Sequence, residues 1–177
     1  MKKSSLPMCS IFTSSLRAQP ALLFTVAFAI FAFDVFTKFL IHTYTPYGWS
    51  HVVTGFFNLV HVWNLGAAFS FLADAGGWQR YFFVAVAALV SAYLIWFLRK
   101  PLPVLERWAG ALILGGALGN GFDRGVRGYV VDFLDFHVAG WHWPAFNLAD
   151  IAIVCGAGLM LLAAFAQVDP RSKPASS

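Results

Sequence analysis

"GYVVDFLDFHVAGWHWPAFNLAD" runs from Gly128 to Asp150 and places three carboxylates, Asp132, Asp135 and Asp150, among Val, Phe, Trp and Leu. A carboxylate in apolar company costs free energy unless it is paired, hydrogen-bonded or protonated. The stretch joins a strand-like segment, "VVDFLDF", to "FNLAD", which opens the last apolar run of the chain. In an extended segment Asp132 and Asp135 point to opposite faces, because their spacing is odd; in a helix they share one. Periodicity does not decide which of the two meets Asp150.

The rest of the chain supplies the setting. Of 177 residues, 59% are hydrophobic and 11% are charged, against about 25% charged in a soluble domain. That deficit, with the long apolar runs, places the chain in the membrane class. The net charge of +4 comes from basic residues scattered in small groups, which fits membrane orientation better than a nucleic-acid partner. Cys9 lies in the polar N-terminal tail and Cys155 in the last apolar run. With no Cys-x-x-Cys spacing, they support neither a mutual disulfide nor a metal site. No apolar h-region precedes "LPMC", so residues 1–20 are expected to be a cytoplasmic tail rather than a signal peptide.

A bilayer crossing needs roughly 20 mostly apolar residues. Four stretches qualify, at about 21–41, 81–98, 104–121 and 148–166, and lipid requires each to be helical. The third is rich in glycine, which in a membrane permits close helix packing. The expected fold is therefore a membrane all-α core of four transmembrane helices. One domain spans 21–167 and a tail spans 168–177, with outer segments at 42–80 and 122–147. The first outer segment contains β-type runs such as "HVVTGFFNLVHVW" (His51–Trp63), with Trp49, Phe56, Phe57 and Trp63 suited to an interface belt.

Eight of the twelve basic residues, Lys2, Lys3, Arg17, Arg99, Lys100, Arg107, Arg171 and Lys173, fall on one side of these spans. That side is assigned to the cytoplasm, with both termini inside. The other four, Lys38, Arg80, Arg124 and Arg127, lie in or beside the outer half, with all five histidines and five of the eight acids. The inner face carries topology signals and the outer face carries chemistry.

Polar residues converge at one depth. At about 1.5 Å per residue, Asp34 lies roughly 10 Å below the outer end of the first span, with Lys38 one turn further out on the same face. They form either a self-satisfied ion pair or a site for something polar. "GGALGNGFDR" closes the third span. Asn120 and Arg124 share a face if the helix persists; otherwise Gly121 stops it and Asp123–Arg124 form a surface turn. In "FNLAD", Asn147 and Asp150 fit a capping box at the start of the fourth span, and they also fit a site shared with a second carboxylate. Two carboxylates held within a few ångströms share a proton. One then activates water while the other polarises a carbonyl, which is aspartic peptidase chemistry and needs no cofactor.

In "DVFTK" (Asp34–Lys38), "NLGAAFS" (Asn64–Ser70), "GGALGNGFDR" (Gly115–Arg124), "VVDFLDF" (Val130–Phe136) and "PAFNLAD" (Pro144–Asp150), the chain closely resembles the bacterial lipoprotein signal peptidases, or signal peptidase II. The resemblance covers about 21–166. It implies an intramembrane aspartic endopeptidase of the bacterial cytoplasmic (inner) membrane, which removes the signal peptide from diacylglyceryl-modified prolipoproteins by cutting before the lipidated cysteine. It implies Asp132 and Asp150 as the catalytic dyad and leaves Asp135 outside. Asn64, Gly66, Asn120, Arg124 and Asn147 resemble residues that bind substrate or support the dyad. Asp34, Lys38 and Asp123 resemble structural groups. The resemblance further implies a small extracytoplasmic β-type cradle at about 43–70, an outer loop over the bound peptide, membrane lipid as a partner, and the cyclic peptide inhibitor globomycin as a ligand. Competing classes are a serine peptidase pairing Lys38 with Ser50 or Ser70, a zinc hydrolase, for which His-Glu-x-x-His spacing is lacking, and a non-enzymatic membrane chaperone or transporter subunit.

Overall fold

The structure, a computed structural model, describes residues 20–66 and 76–168. The chain runs through α1 (Pro20–Tyr44), β1 (Ser50–Thr54), β2 (Phe57–Asn64), α2 (Gln79–Phe97), α3 (Val104–Val126), β3 (Val130–Val138), β4 (Trp141–His142) and α4 (Leu148–Val168). All four strands come from the two connections at one end of the helices and form a single antiparallel sheet in the order β1-β2-β3-β4.

Helices α1, α2 and α4 are long and apolar enough to cross a membrane. Their outward side chains stay uncovered, as Phe28, Leu89, Val154 and Phe165 show, which suits contact with lipid rather than water. Helix α3 does not reach the same apolarity, although it occupies the third predicted span. It packs against α1, α2 and α4 and buries ten of its residues, among them Ala109, Gly110, Ala111, Gly115, Gly116 and Gly119. Shielded by three neighbours, it has little need of an apolar surface. Its small residues let backbones approach: a Cβ at Gly115 would stand 2.7 Å from the Ala27 carbonyl, and one at Gly116 would stand 2.8 Å from Ile153 Cγ1. Such close packing, rather than burial from water, holds helices together in lipid.

Two predicted boundaries move. Helix α3 continues past Gly121 to Val126, because a helical glycine costs only about 1 kcal/mol against alanine and the carbonyls beyond it still find helical partners, down to Arg127 N–H on Asp123 O at 2.7 Å. Helix α1 extends to Tyr44, so His42 lies on its last turn rather than in a loop. The expected cradle at 43–70 supplies β1 and β2 but is half of the sheet, since β3 and β4 come from the second outer connection. Ser70 and the expected tails, apart from Pro20 at the start of α1 and Val168 at the end of α4, lie outside the described residues.

The turn between β3 and β4 holds Ala139 and Gly140 at positive φ, 49° and 79°, the backbone that a tight two-residue hairpin requires. After Pro144 the chain returns along β3. Leu134 N–H donates to Phe146 O at 2.9 Å, and Phe146 N–H to Leu134 O at 3.1 Å. This bridge brings the start of α4 beside the middle of β3.

Candidate active site

Asn147 and Asp150 form a reciprocal capping box. Asp150 N–H donates to Asn147 Oδ1 at 3.1 Å, and Asn147 N–H to Asp150 Oδ2 at 3.2 Å. Each satisfies a backbone donor that the first turn of α4 leaves open. The cap uses only part of each side chain. Asn147 Nδ2 also donates to Asp132 Oδ1 at 2.6 Å, while Asp150 Oδ1 accepts from Asn120 Nδ2 at 2.8 Å. The local helix signal and the shared carboxylate cluster are one arrangement.

Register decides which acid joins it. In the β2–β3 pair Asp132 lies opposite Val62 and Asp135 opposite Asn58, with a shift between Leu59 and Val62. Asp132 receives Asn64 Nδ2 at 3.0 Å as well as the Asn147 amide. Asp135 instead accepts from Asn58 Nδ2 at 2.8 Å and contacts His142 Nδ1 at 2.9 Å. Asp132 and Asp150 line one cavity of about 660 Å³ together with Asn64, Asn120 and Arg124. Its remaining walls are largely apolar, including Trp63, Trp143, Phe146, Ile151 and Val154.

Burial pushes the Asp132 carboxyl up to about 7, and the charge of Asp150 pushes in the same direction against the hydrogen bonds from Asn147 and Asn64. It therefore holds its proton into the neutral range. Asp135 is held below the usual carboxylate range: burial raises it, but the hydrogen bonds from His142 and Asn58 outweigh that effect.

The supporting residues divide by location. Asn64 Oδ1 accepts from Gly66 N–H at 3.0 Å, and Arg124 Nη2 donates to Gly66 O at 2.6 Å. The turn after β2 is thus tied to the cavity from two sides. Arg124 also places its guanidinium 5.0 Å from the Phe83 ring centre. Below the cavity, Lys38 and Asp34 are fully buried, 2.7 Å apart. Asp34 Oδ1 accepts from Ala149 N–H at 2.9 Å, which fixes the start of α4 against α1. Asp123, also fully buried, accepts from Val131 N–H at 3.1 Å, pairs with Arg127 and lies 3.7 Å from Lys38. It joins the end of α3 to β3 and does not line the cavity.

All ten residues expected to matter thus fall into two adjoining groups. Asp132, Asp150, Asn64, Asn120, Arg124 and Asn147 surround the cavity or its carboxylates, with Gly66 at the edge; Asp34, Lys38 and Asp123 form the ionic layer beneath. The apolar walls Trp143, Phe146, Ile151 and Val154 were not identified from sequence, because a wall residue in a lipid-facing chain looks like any other apolar residue. Lys38 has its ammonium engaged by Asp34 and Asn120, while Ser50 lies on the edge strand β1; a Ser50–Lys38 pair finds no contact. Among the described residues no group of three or more His, Cys, Asp or Glu could hold a metal.

Residues 26–166 match the family model described as signal peptidase (SPase) II. A lipoprotein signal peptidase of Cupriavidus necator is 54% identical over 144 residues, covering 81% of this chain and 82% of the relative. One of Serratia marcescens is 50% identical over 145 residues, covering 82% and 85%. A bacterial membrane enzyme solved by the in meso method superposes with a TM-score of 0.78 at 29% identity, covering 89% of this chain and 95% of that one. With half of the positions shared along four fifths of the chain, and a matching fold, this protein belongs to the signal peptidase II family, membrane proteases that process prolipoproteins by removing their signal peptides.

Proposed function

We propose that this protein is an aspartic endopeptidase that cuts diacylglyceryl-modified prolipoproteins just before the lipidated cysteine, with Asp132 and Asp150 as its dyad. The observation that carries this is the cavity shared by the two carboxylates, with Asn147 hydrogen-bonded to both. A raised Asp132 supports its role as the acid that enters the reaction protonated. Ionised Asp150 takes a proton from water as the oxygen attacks the scissile carbonyl, and Asp132 donates its proton to the carbonyl oxygen. Collapse of the tetrahedral intermediate breaks the C–N bond and passes a proton to the departing amine of the cysteine.

Asn64, Asn120 and Asn147 orient the carboxylates, while Arg124 and Gly66 form the edge over which the substrate enters. Asp34, Lys38 and Asp123 hold the elements in register. Helix α3 is the fourth membrane span, kept from lipid by the other three. The basic residues of the tails and the α2–α3 loop support an orientation with both termini in the cytoplasm and the cavity near the outer surface of the bacterial inner membrane. A signal peptide then arrives laterally along α4, and globomycin occupies the same cavity.

The test is cleavage of a lipidated prolipoprotein peptide by the purified protein. Asp132→Asn and Asp150→Asn should each abolish turnover with the fold preserved, as judged by circular dichroism. Turnover retained by either variant removes the dyad.

A further inference from the structure

Asp135 lies on the face of β3 turned away from Asp132, because their spacing is odd. It is buried there, and its partners come from the strands on either side. Asn58 on β2 stands directly opposite and donates from Nδ2 to Asp135 Oδ2 at 2.8 Å. From β4, His142 Nδ1 lies 2.9 and 3.0 Å from the two carboxylate oxygens. An ionised carboxylate only accepts, so His142 Nδ1 carries a proton and donates, whatever the state of Nε2. The His137 ring, opposite His142 in the β3–β4 pair, stacks on it with centres 4.8 Å apart and 23° between planes.

The dyad does not use this cluster, yet the backbone joins it to the cavity. Strand β4 is a two-residue edge strand with both residues exposed. The chain enters it through Ala139 at φ 49°, a backbone that a residue with a Cβ seldom adopts. His142 projects to the back of the sheet, and the residues that follow it, Trp143, Pro144, Ala145 and Phe146, line the cavity at the front. This wall segment rests on β3 through the Trp143 N–H to Phe136 O bond at 2.8 Å and the Leu134–Phe146 bridge; Pro144 has no N–H to add. A segment so thinly bonded opens locally at low cost unless its ends are held. One end is held by Asn147 on Asp132 and the other by His142 on Asp135. The two acids of "VVDFLDF" thus hold opposite ends of one segment, from opposite faces of the sheet. We propose that Asp135 and His142 are positioning residues for substrate binding: from the back of the sheet they fix the wall at 143–146, and they take no part in the chemical step. This inference rests on the cavity being the proteolytic site.

The experiment measures kcat and KM separately for a lipidated prolipoprotein peptide, together with hydrogen exchange at the backbone amides of Trp143 and Phe146. His142→Ala raises KM roughly tenfold, the effect of losing one hydrogen bond to a charged group, and leaves kcat within about twofold. Exchange at the two amides quickens by a similar factor. His142→Asn, whose side-chain N–H can replace that of Nδ1, restores KM and exchange. Asp135→Asn keeps an acceptor oxygen and loses the charge, so its KM falls between those of the wild type and His142→Ala. The double variant Asp135→Asn/His142→Ala is no worse than His142→Ala alone. His142 is half exposed, so truncating it leaves no buried hole; Asp135→Asn decides the matter should His142→Ala fail to fold. An unchanged KM in folded variants, a fall in kcat alone, or His142→Asn as impaired as His142→Ala overturns the proposal. Asp132→Asn is run beside them: if the wild type cuts and Asp132→Asn does not, an unchanged KM defeats the positioning pair alone, whereas a wild type that does not cut defeats the proteolytic site and the pair's role with it.

Discussion

Lys38 donates to Asn120 Oδ1 at 2.8 Å, and this bond decides which end of the Asn120 amide Asp150 meets. An amide with its oxygen toward an ammonium must turn its nitrogen the other way, and Asn120 Nδ2 donates to Asp150 Oδ1. Buried charge on α1 is thereby converted into a fixed donor at the cavity.

Lys38→Met removes the cation from this arrangement and leaves Asp34 buried without its ion-pair partner. Breaking one side of a buried pair costs about 3–5 kcal/mol. Thermal unfolding in detergent should show a large loss of stability, and residual folded protein should cleave more slowly because Asn120 is free to turn. Unchanged stability would show that Asp34 is adequately satisfied by Ala149 alone.

The pH dependence follows from Asp132. Its folded-state pKa of about 7 lies above the ordinary value of 3.8, so between these values the unfolded chain has lost a proton that the native state keeps. Stability contributed by this group therefore falls as pH rises from about 4 to 7 and is level above that. Activity that requires the shared proton should decline on the alkaline side with an apparent macroscopic pKa near 7, belonging to the pair rather than to one residue. A kcat/KM profile flat from pH 6 to 9 would contradict proton sharing.

Asp135 gives the opposite sign. Its pKa is depressed below 3.8, so its interactions stabilise the fold above that value and are lost as pH falls through the folded-state pKa. Asp135→Asn should retain substantial peptidase activity while lowering stability by roughly 1–3 kcal/mol, the scale of hydrogen bonds to charged groups. Complete inactivation with the fold intact would mean that the wrong acid of "VVDFLDF" has been placed in the dyad.

Gly116 and Gly125 share α3 but not its surroundings. A methyl at Gly116 meets the Ala149 carbonyl and Ile153, whereas one at Gly125 meets nothing within 4 Å. Gly116→Ala should destabilise by about 1–3 kcal/mol and depress cleavage by pushing α4, and Asp150 with it, away from Asn120. Gly125→Ala should be neutral or stabilising by up to about 1 kcal/mol. Equal unfolding temperatures for the two variants would dissociate the site from α3–α4 packing.

The membrane class, the three apolar helices and the acidic, asparagine-rich motifs at one depth were legible in the chain, because hydrophobic run length and burial cost act locally. The capping box was legible for the same reason, since Asn147 and Asp150 satisfy the helix start by spacing alone. Other features depended on contacts between distant segments. Helix α3 looked like one more apolar run, yet it is the central helix, packed against the other three; only its neighbours explain why it tolerates six glycines and several charges. Spacing left Asp132 and Asp135 equivalent candidates, and the β2–β3 register with the Leu134–Phe146 bridge separated them, bringing one to Asn147 and the other to His142. Strand register and helix packing are set by pairing across the chain, so no local pattern could have stated them.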